Sequence, residues 1–279
     1  MTTSLTPTTR SRSFVRHALL LSLAVMSLGP ILWIVSISLK TQREFAADPF
    51  GLPARLDLNA YVQVLTDERM LRFIWNSVVV TSVAISLVLA LSVLAGYALA
   101  RIPFRGANLL LVLFILSDAI PLFVVIIPLY VFLNQLGLLN GVWGLVLAYA
   151  ASKMGLAVFI MRGFFRSIPS EMEDAAAIDG AGTFRLIWSV LLPIALPGAI
   201  VVALFTFVSL WNEYFLAAVL LPSQELFTLP AGLASVFMSR YSTNWPLLAA
   251  GLVISILPTV LLFVFAQRRI VEGWTVTVK

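Results

Sequence analysis

Residues 73–100 read FIWNSVVVTSVAISLVLALSVLAGYALA, 28 consecutive positions without a charged side chain. About 20 apolar residues suffice to cross a hydrocarbon core as α-helix, so this run is long enough to span. It does not alternate apolar with polar positions, as a membrane β-strand would. Working outward from it, uncharged runs recur at 17–39, 186–212 and 241–267. The chain of 279 residues is 61% hydrophobic and 11% charged, against about 25% charged in a soluble domain. So few charges cannot cover a surface in water, and much of the surface must face lipid. The fold class that follows is an all-α, polytopic integral membrane protein, because backbone polar groups in lipid are satisfied only in helices or closed barrels.

Composition also excludes. There is no cysteine, hence neither disulfides nor thiolate metal sites. The one histidine, His17, adjoins a basic N-terminal tail and reads as a solvated interfacial side chain. No Walker-type phosphate loop and no zinc-type His/Glu spacing occurs, so no catalytic and no metal-binding residue is nominated. The net charge of +5 is explained by the placement of basic residues at loops, and nucleic acid is not expected as a partner.

Six spans are expected, at about 17–39, 74–100, 107–134, 142–161, 194–219 and 245–266. They form a transmembrane domain, 17–266, between tails 1–16 and 267–279. The first reads as a retained span, too long for a cleaved leader and without a small-residue cleavage site after it. Orientation follows from Lys/Arg asymmetry between the loops. Arg10, Arg12, Arg16, Arg101, Arg105, Arg162, Arg166, Arg185, Arg268, Arg269 and Lys279 fall on one side; Lys40, Arg43, Arg55, Arg69, Arg72 and Arg240 fall on the other. Eleven against six puts both termini in the cytoplasm. Loops 40–72 and 220–244 then lie outside. The first balances five basic with five acidic residues and reads as folded, with a short helix starting near Asn59. The second is punctuated by Pro222 and Pro230, and a short helix is expected after them.

The internal loop 162–193 contains SIPSEMEDAAAIDGAG, residues 167–182, with four acidic residues in an otherwise oily chain. Ser170 and Glu173 have the spacing of a capping box. Glu171, Glu173 and Asp174 fall in a first turn, where the helix dipole favours negative charge. Gly180 is placed to end the helix in a left-handed conformation. The segment predicts a short helix over about 171–179. Met172, Ala175, Ala176 and Ile178 fall on one shallow apolar arc, and Asp179 shares it at the unfavourable end of the dipole. Arg185 or a partner protein would supply the cation Asp179 needs. From the residues alone, a connector helix lying on the membrane accounts for the segment equally well.

The stretch EDAAAIDGAGTFRLIWSVLLPIALPG (173–198) resembles the cytoplasmic signature of binding-protein-dependent ABC importer permeases. Asp174-Ala175-Ala176, Gly180 and Val190-Leu191-Leu192-Pro193 carry the match. Asp174 stands where the family usually has glutamate, and Val190 where it has isoleucine. Residues 76–101, 127–147, 209–217 (SLWNEYFLA) and 263–274 (FVFAQRRIVEGW) are similar to the carbohydrate, maltose-type branch. The resemblance implies a six-helix permease fold in a bacterial inner membrane and a non-enzymatic translocation subunit. It makes the short helix a coupling helix that docks into a cytoplasmic ATPase, formed by Glu171, Met172, Glu173, Asp174, Ala175, Ala176, Asp179 and Gly180. The partners implied are a second permease, in all expectation a different chain, two copies of an ABC ATPase and an extracytoplasmic sugar-binding protein. Any cofactor, ATP with Mg, belongs to the ATPases and not to this chain.

Ionisable residues inside spans are costly and are candidates for function. Asp118 and Lys153 would either pair across spans three and four or line a path. Glu213 lies within LWNEYF, where Trp211, Asn212, Glu213 and Tyr214 suit a sugar, or else helix packing. A proton-coupled secondary transporter using Asp118 and Glu213 is the rival reading, weakened by the lack of an inverted repeat. An integral membrane enzyme is weaker still, without nucleophile or metal clusters.

Overall fold

The computed structural model describes the backbone of residues 8–238 and 244–276 and the side chains of 16–238 and 244–265. Parts of both tails, with Arg240 and Lys279, therefore lie outside the described residues. All regular structure among the described residues is helical: α1 (Thr8–Ser38), α2 (Gln42–Ala47), α3 (Asn59–Thr66), α4 (Glu68–Arg101), α5 (Ala107–Ala119), α6 (Leu122–Gln135), α7 (Val142–Ser167), α8 (Glu171–Ile178), α9 (Thr183–Ile194), α10 (Leu196–Trp211), α11 (Phe215–Leu220), α12 (Leu229–Met238) and α13 (Trp245–Val276). The helices separate into two compact units. One holds the chain up to Asp67 with the start of α13 to Ile256; the other runs from Glu68 to Met238 and resumes at Leu257.

Four helices are long and apolar enough to cross a membrane, in α1, α4, α7 and α13, and two bent pairs raise the number to six. The bends correct the sequence reading. The third span is not one helix: α5 and α6 meet at 101°. Pro121 disfavours helical backbone at the residue before it, and Ile120 is extended, at φ −75° and ψ 118°. The expected fifth span, 194–219, begins at a second bend, 80° between α9 and α10. Pro197 has no N–H to return to the preceding turn. Asn212–Tyr214 then interrupts the same span before α11. Residues 183–193, expected as loop, belong to α9, which contains a π-helical turn at Leu186–Leu191.

In the first unit the segment after α1 is folded, as expected of loop 40–72. Thr41 caps α2: its hydroxyl accepts from the Glu44 amide at 3.2 Å, and the Glu44 carboxylate accepts from the Thr41 amide at 2.9 Å. That bond from the Thr41 backbone holds the Glu44 carboxyl below its ordinary range. Buried Lys40 donates to the Asp48 carbonyl at 2.8 Å, and Trp33 stacks on Phe50 with ring centroids 5.5 Å apart. Helix α3 begins at Asn59, with the Asp57 carboxylate accepting from the Asn59 amide. Within the same unit, Gln42 accepts from the first amide of α13, at Trp245.

The second unit is built on α4 against α7. In lipid there is little hydrophobic drive between helices, and small residues that allow close approach take over. A Cβ at Gly96 would lie 2.8 Å from Met161 Cβ and 2.9 Å from the Arg162 nitrogen. The α4–α7 seam therefore needs a glycine there. Towards one end of the seam, Val80, Ala84, Leu145, Tyr149, Leu216 and Leu220 form one buried cluster. Towards the other, Val88, Tyr97, Met161, Phe165, Ile187 and Leu191 form a second. Asn76 and Ser77, near the start of α4, hold the segment before α12 through bonds to the carbonyls of Glu225 and Phe227 and from the Leu229 amide.

Candidate functional site

Two places in the second unit gather the residues nominated from sequence. The first is α8, in the connection between α7 and α9. It spans Glu171–Ile178, within a residue of the expected helix. Its end is as expected: Gly180 has φ +75°. The Gly180 amide bonds to the Ala177 carbonyl and the Ala181 amide to the Ala176 carbonyl, both at 3.0 Å. This pairing satisfies two of the carbonyls a helix C-terminus leaves open.

Its start is not as expected. Ser170 is itself in helical backbone, at φ −65° and ψ −26°, and its side chain makes no capping bond. The Ser170 carbonyl, not its hydroxyl, receives the Glu173 amide at 2.9 Å. The Glu173 carboxylate does not reach back. It turns to Arg101, with Nε–Oε1 at 2.5 Å and both side chains 18% exposed. The contact is an ion pair by distance, and neither atom makes a hydrogen bond. The capping box therefore fails because a guanidinium in a part-buried place outcompetes the backbone amide of exposed Ser170.

Arg101 is the last residue of α4, and its other arm, NH2, donates to the Ile168 carbonyl at 2.5 Å. Six residues earlier, in α7, Arg162 Nε donates to the Leu99 carbonyl at 3.2 Å. The remaining α8 residues are more open. Ala176 alone is buried, while Glu171, Met172, Asp174, Ala175, Ala177 and Asp179 are exposed and Ile178 is 87% exposed. The expected apolar arc is thus split, with Ala176 inward and Met172, Ala175 and Ile178 free. Asp179 makes no ion pair with Arg185. Phe184, at the start of α9, is 74% exposed beside Ile178 in sequence.

The second place is a largely apolar cleft with a few polar side chains, between α5, α6, α7, α10 and α11, in two adjoining volumes of about 350 and 490 Å³. Asp118, Ser152 and Lys153 line both, Thr206 and Ser209 the first, and Ser117 and Glu213 the second. Asp118 and Lys153 make no ion pair with each other, contrary to one expectation. Asp118 instead lies over Gly155, where a Cβ would come within 2.8 Å of the carboxylate. Carboxylate and ammonium both remain open to the cleft.

Glu213 is otherwise engaged. Its Oε2 accepts from the Tyr149 hydroxyl at 2.7 Å and from the Ala217 amide at 3.3 Å, and its Oε1 from the Leu216 amide at 2.8 Å. It caps the start of α11 and anchors that turn to buried Tyr149. Trp211 is 4% exposed and stacks on Phe207, away from the cleft. Asn212 returns its amide to the Val208 carbonyl, and Tyr214 is 42% exposed. Sequence reasoning missed Arg101 and Tyr149 as site residues. Arg101 was read only as a basic residue closing a span, although its place at the end of α4 and opposite an acidic loop was a usable signal. Tyr149, one hydroxyl in an apolar helix, carried none.

No group of three or more potential metal ligands occurs among the described residues. Residues 91–273 match the family described as binding-protein-dependent transport system inner membrane component. The chain is 36% identical to a diacetylchitobiose uptake system permease protein of Streptomyces coelicolor, over 92% of this chain and 85% of that one. It is 34% identical to a sulfoquinovosyl glycerol transport system permease protein of Agrobacterium fabrum, over 91% and 89%. Its fold superposes with a TM-score of 0.83, at 26% identity, on a chain of a bacterial ABC transporter involved in import of the acidic polysaccharide alginate, covering 96% and 99% of the two chains. With more than half of its length matched by the family and relatives of 34–36% identity over nine tenths of it, this chain belongs to the binding-protein-dependent transport system inner membrane components.

Proposed function

We propose that this chain is a permease subunit of an ATP-driven importer of di- or oligosaccharides, forming half of a translocation path. The observation that carries the reading is α8: an eight-residue helix with an open apolar and acidic face, held to the end of α4 by one part-buried ion pair. So short a helix is marginal alone in water, and its exposed face fits a docking element for a cytoplasmic ATPase. The relatives named for saccharide uptake support the substrate class. The assembly is then this chain, a second permease, two ATPase subunits that use ATP and Mg, and an extracytoplasmic binding protein. This chain performs no covalent chemistry.

The translocation path runs along the cleft. Asp118 and Lys153, which line both volumes, offer an acceptor and a donor to sugar hydroxyls. Glu213 acts through the fold, because all its described bonds serve α11. The same occupancy argues against Glu213 as a proton relay. Both termini and α8 lie in the cytoplasm and residues 42–70 outside, on the Lys/Arg asymmetry.

The test is to purify the complex and measure ATP hydrolysis against a panel of saccharides that includes diacetylchitobiose. A saccharide-stimulated, vanadate-sensitive activity is expected. Uptake abolished by collapsing the proton gradient but indifferent to vanadate would overturn the reading. Orientation is tested by single cysteines at Gln63 and Ser170 in this cysteine-free chain. An impermeant reagent added to intact cells should label the first and spare the second.

A further inference from the structure

We infer that Arg101 is a positioning residue that locks α8 to the end of α4, so that the two move as one body when the ATPases bind and hydrolyse ATP. The inference rests on the proposed coupling role of α8.

Three elements meet at one guanidinium. Arg101 closes α4, its NH2 holds the carbonyl of Ile168 where α7 ends, and its Nε holds Glu173 in the first turn of α8. The planar, forked guanidinium suits this, because it holds two acceptors at a fixed angle and is always charged. Beside this anchor, α8 packs on the π-helical turn Leu186–Leu191 of α9. Ala176 is its one buried side chain, and its capping residue makes no side-chain bond. On its C-terminal side the chain leaves through Gly180 at φ +75° and then Gly182, a corner with no heavy atom within 4 Å of either glycine's missing Cβ. On its N-terminal side the corner Ile168–Pro169–Ser170 is the place where Arg101 sits. Along the chain, push and pull on α8 therefore have a stiff route, through Arg101 into α4, and a soft one, through the two glycines, while α8 also rests on the π-helical turn of α9.

The stiff route continues into the membrane. Above Arg101, Tyr97 meets Phe165 edge-on at 6.0 Å, and Gly96 brings the α4 and α7 backbones together. A displacement at α8 is thereby delivered to the α4–α7 seam as a whole, and α7 carries Lys153 into the cleft. The pair is only 18% exposed on each side. Screening is weak there, and removing one partner leaves the other charge uncompensated.

The experiment uses the full complex with its ATPase subunits, the other chains stripped of accessible cysteines. Spin labels go on Arg105→Cys, just past α4, and Ala177→Cys, on α8; both positions are exposed. With Arg101 in place, one narrow label-to-label distance is expected, the same without nucleotide and with ATP and vanadate. Arg101→Gln should lose it, giving a broad distribution or one that changes with nucleotide. Arg101→Lys, which keeps the charge but not the fork, should fall between. The swap Arg101→Glu with Glu173→Arg keeps the ion pair but sets a carboxylate against the Ile168 carbonyl, so it should do no better than Arg101→Lys. A merely stabilising residue would not make the distance depend on nucleotide. The inference is overturned if the unaltered complex already changes its distance with nucleotide, if Arg101→Gln leaves it narrow and invariant, or if the swap restores the parent's single distance in full. The coupling role itself is read in the same samples. If the ATPases copurify and hydrolyse ATP equally well when α8 is disrupted by Gly180→Val, α8 is not the coupling element, whatever the label distance.

Discussion

Helices α2 and α8 begin with the same local signature, a hydroxyl residue followed three positions later by glutamate: Thr41 and Glu44, Ser170 and Glu173. In α2 the signature closes into a reciprocal box, with both bonds made. In α8 neither bond is made, and the glutamate crosses to Arg101. The difference lies in the surroundings. Glu44 has its own capping residue, Thr41, to answer it through amide and hydroxyl, whereas Glu173 finds a guanidinium held at the end of a 34-residue helix. A third short helix, α11, shows the remaining solution: Glu213 bonds two amides of the helix it precedes and also a buried tyrosine. A capping motif therefore fixes where a helix starts, while the neighbours decide whether its carboxylate stays local.

The sharpest break in the comparison is expected at Glu213, where the carboxylate serves helix and tyrosine together. Glu213→Gln replaces one acceptor oxygen by a donor amide that faces either Tyr149 or the α11 amides. One of them loses its partner, at about 1–3 kcal/mol for an unsatisfied buried group. Tyr149→Phe should cost less, about 1 kcal/mol, since it removes one bond and leaves the carboxylate its two amides. Thermal unfolding of the two variants in detergent checks the order. Equal stability of Glu213→Gln and the parent would return Glu213 to the list of sugar contacts.

The next effect is at the other end of α8. Gly180→Val places a β-branched residue at φ +75°, a strain of about 1 kcal/mol or more. No heavy atom lies within 4 Å of the added Cβ, so the effect is conformational and not steric within the chain. Gly182 is the matched control, equally open but at φ −69°, and Gly182→Ala should be silent. Uptake and ATPase retention should fall in the first variant only. Failure of both variants alike would mean that the ATPase surface excludes any side chain at this corner.

Much of this architecture was legible in the sequence, and the exceptions have physical reasons. Uncharged runs located the spanning helices because lipid allows little else. Gly180 announced the end of α8 because only a left-handed residue could stand there. The two bends were marked by Pro121 and Pro197, but a proline states that a helix is disturbed and not by what angle; 101° and 80° are set by packing. Asp118 and Lys153 were rightly placed near each other, yet opposite charges on neighbouring helices need not touch, and these face a common cleft. The Arg101–Glu173 pair joins positions 72 apart in sequence, and no local pattern reports a partner that distant.

A direct comparison of the two boxes follows from one pair of alanines. Thr41→Ala removes a bond that exists and should destabilise α2 by about 1 kcal/mol. Ser170→Ala removes no capping bond and should change stability by less than about 0.5 kcal/mol, as a surface substitution does. Amide exchange in the first turn of each helix separates the two. A comparable loss of protection in α8 would mean that Ser170 caps its helix in solution.

The smallest effect is a titration. Glu44 accepts from the Thr41 amide more strongly as a carboxylate than as the neutral acid, and that bond lowers its pKa below the ordinary 4.5. With the folded value depressed, the cap's contribution is complete above the unfolded value and is lost as pH falls through the folded one. The Thr41 amide resonance should therefore shift with a midpoint below 4.5. Glu44 is half-buried at the protein surface, so added salt should bring the midpoint partway back by screening Lys40, whose charge also lowers it, without abolishing the depression, which comes first from the Thr41 amide. In Thr41→Ala the backbone amide remains while the hydroxyl's own bond to the carboxylate is gone, and the midpoint should rise only in part. A midpoint at or above 4.5 in the parent would mean that the Glu44 side chain leaves its helix in solution, and the contrast between α2 and α8 would then be one of degree.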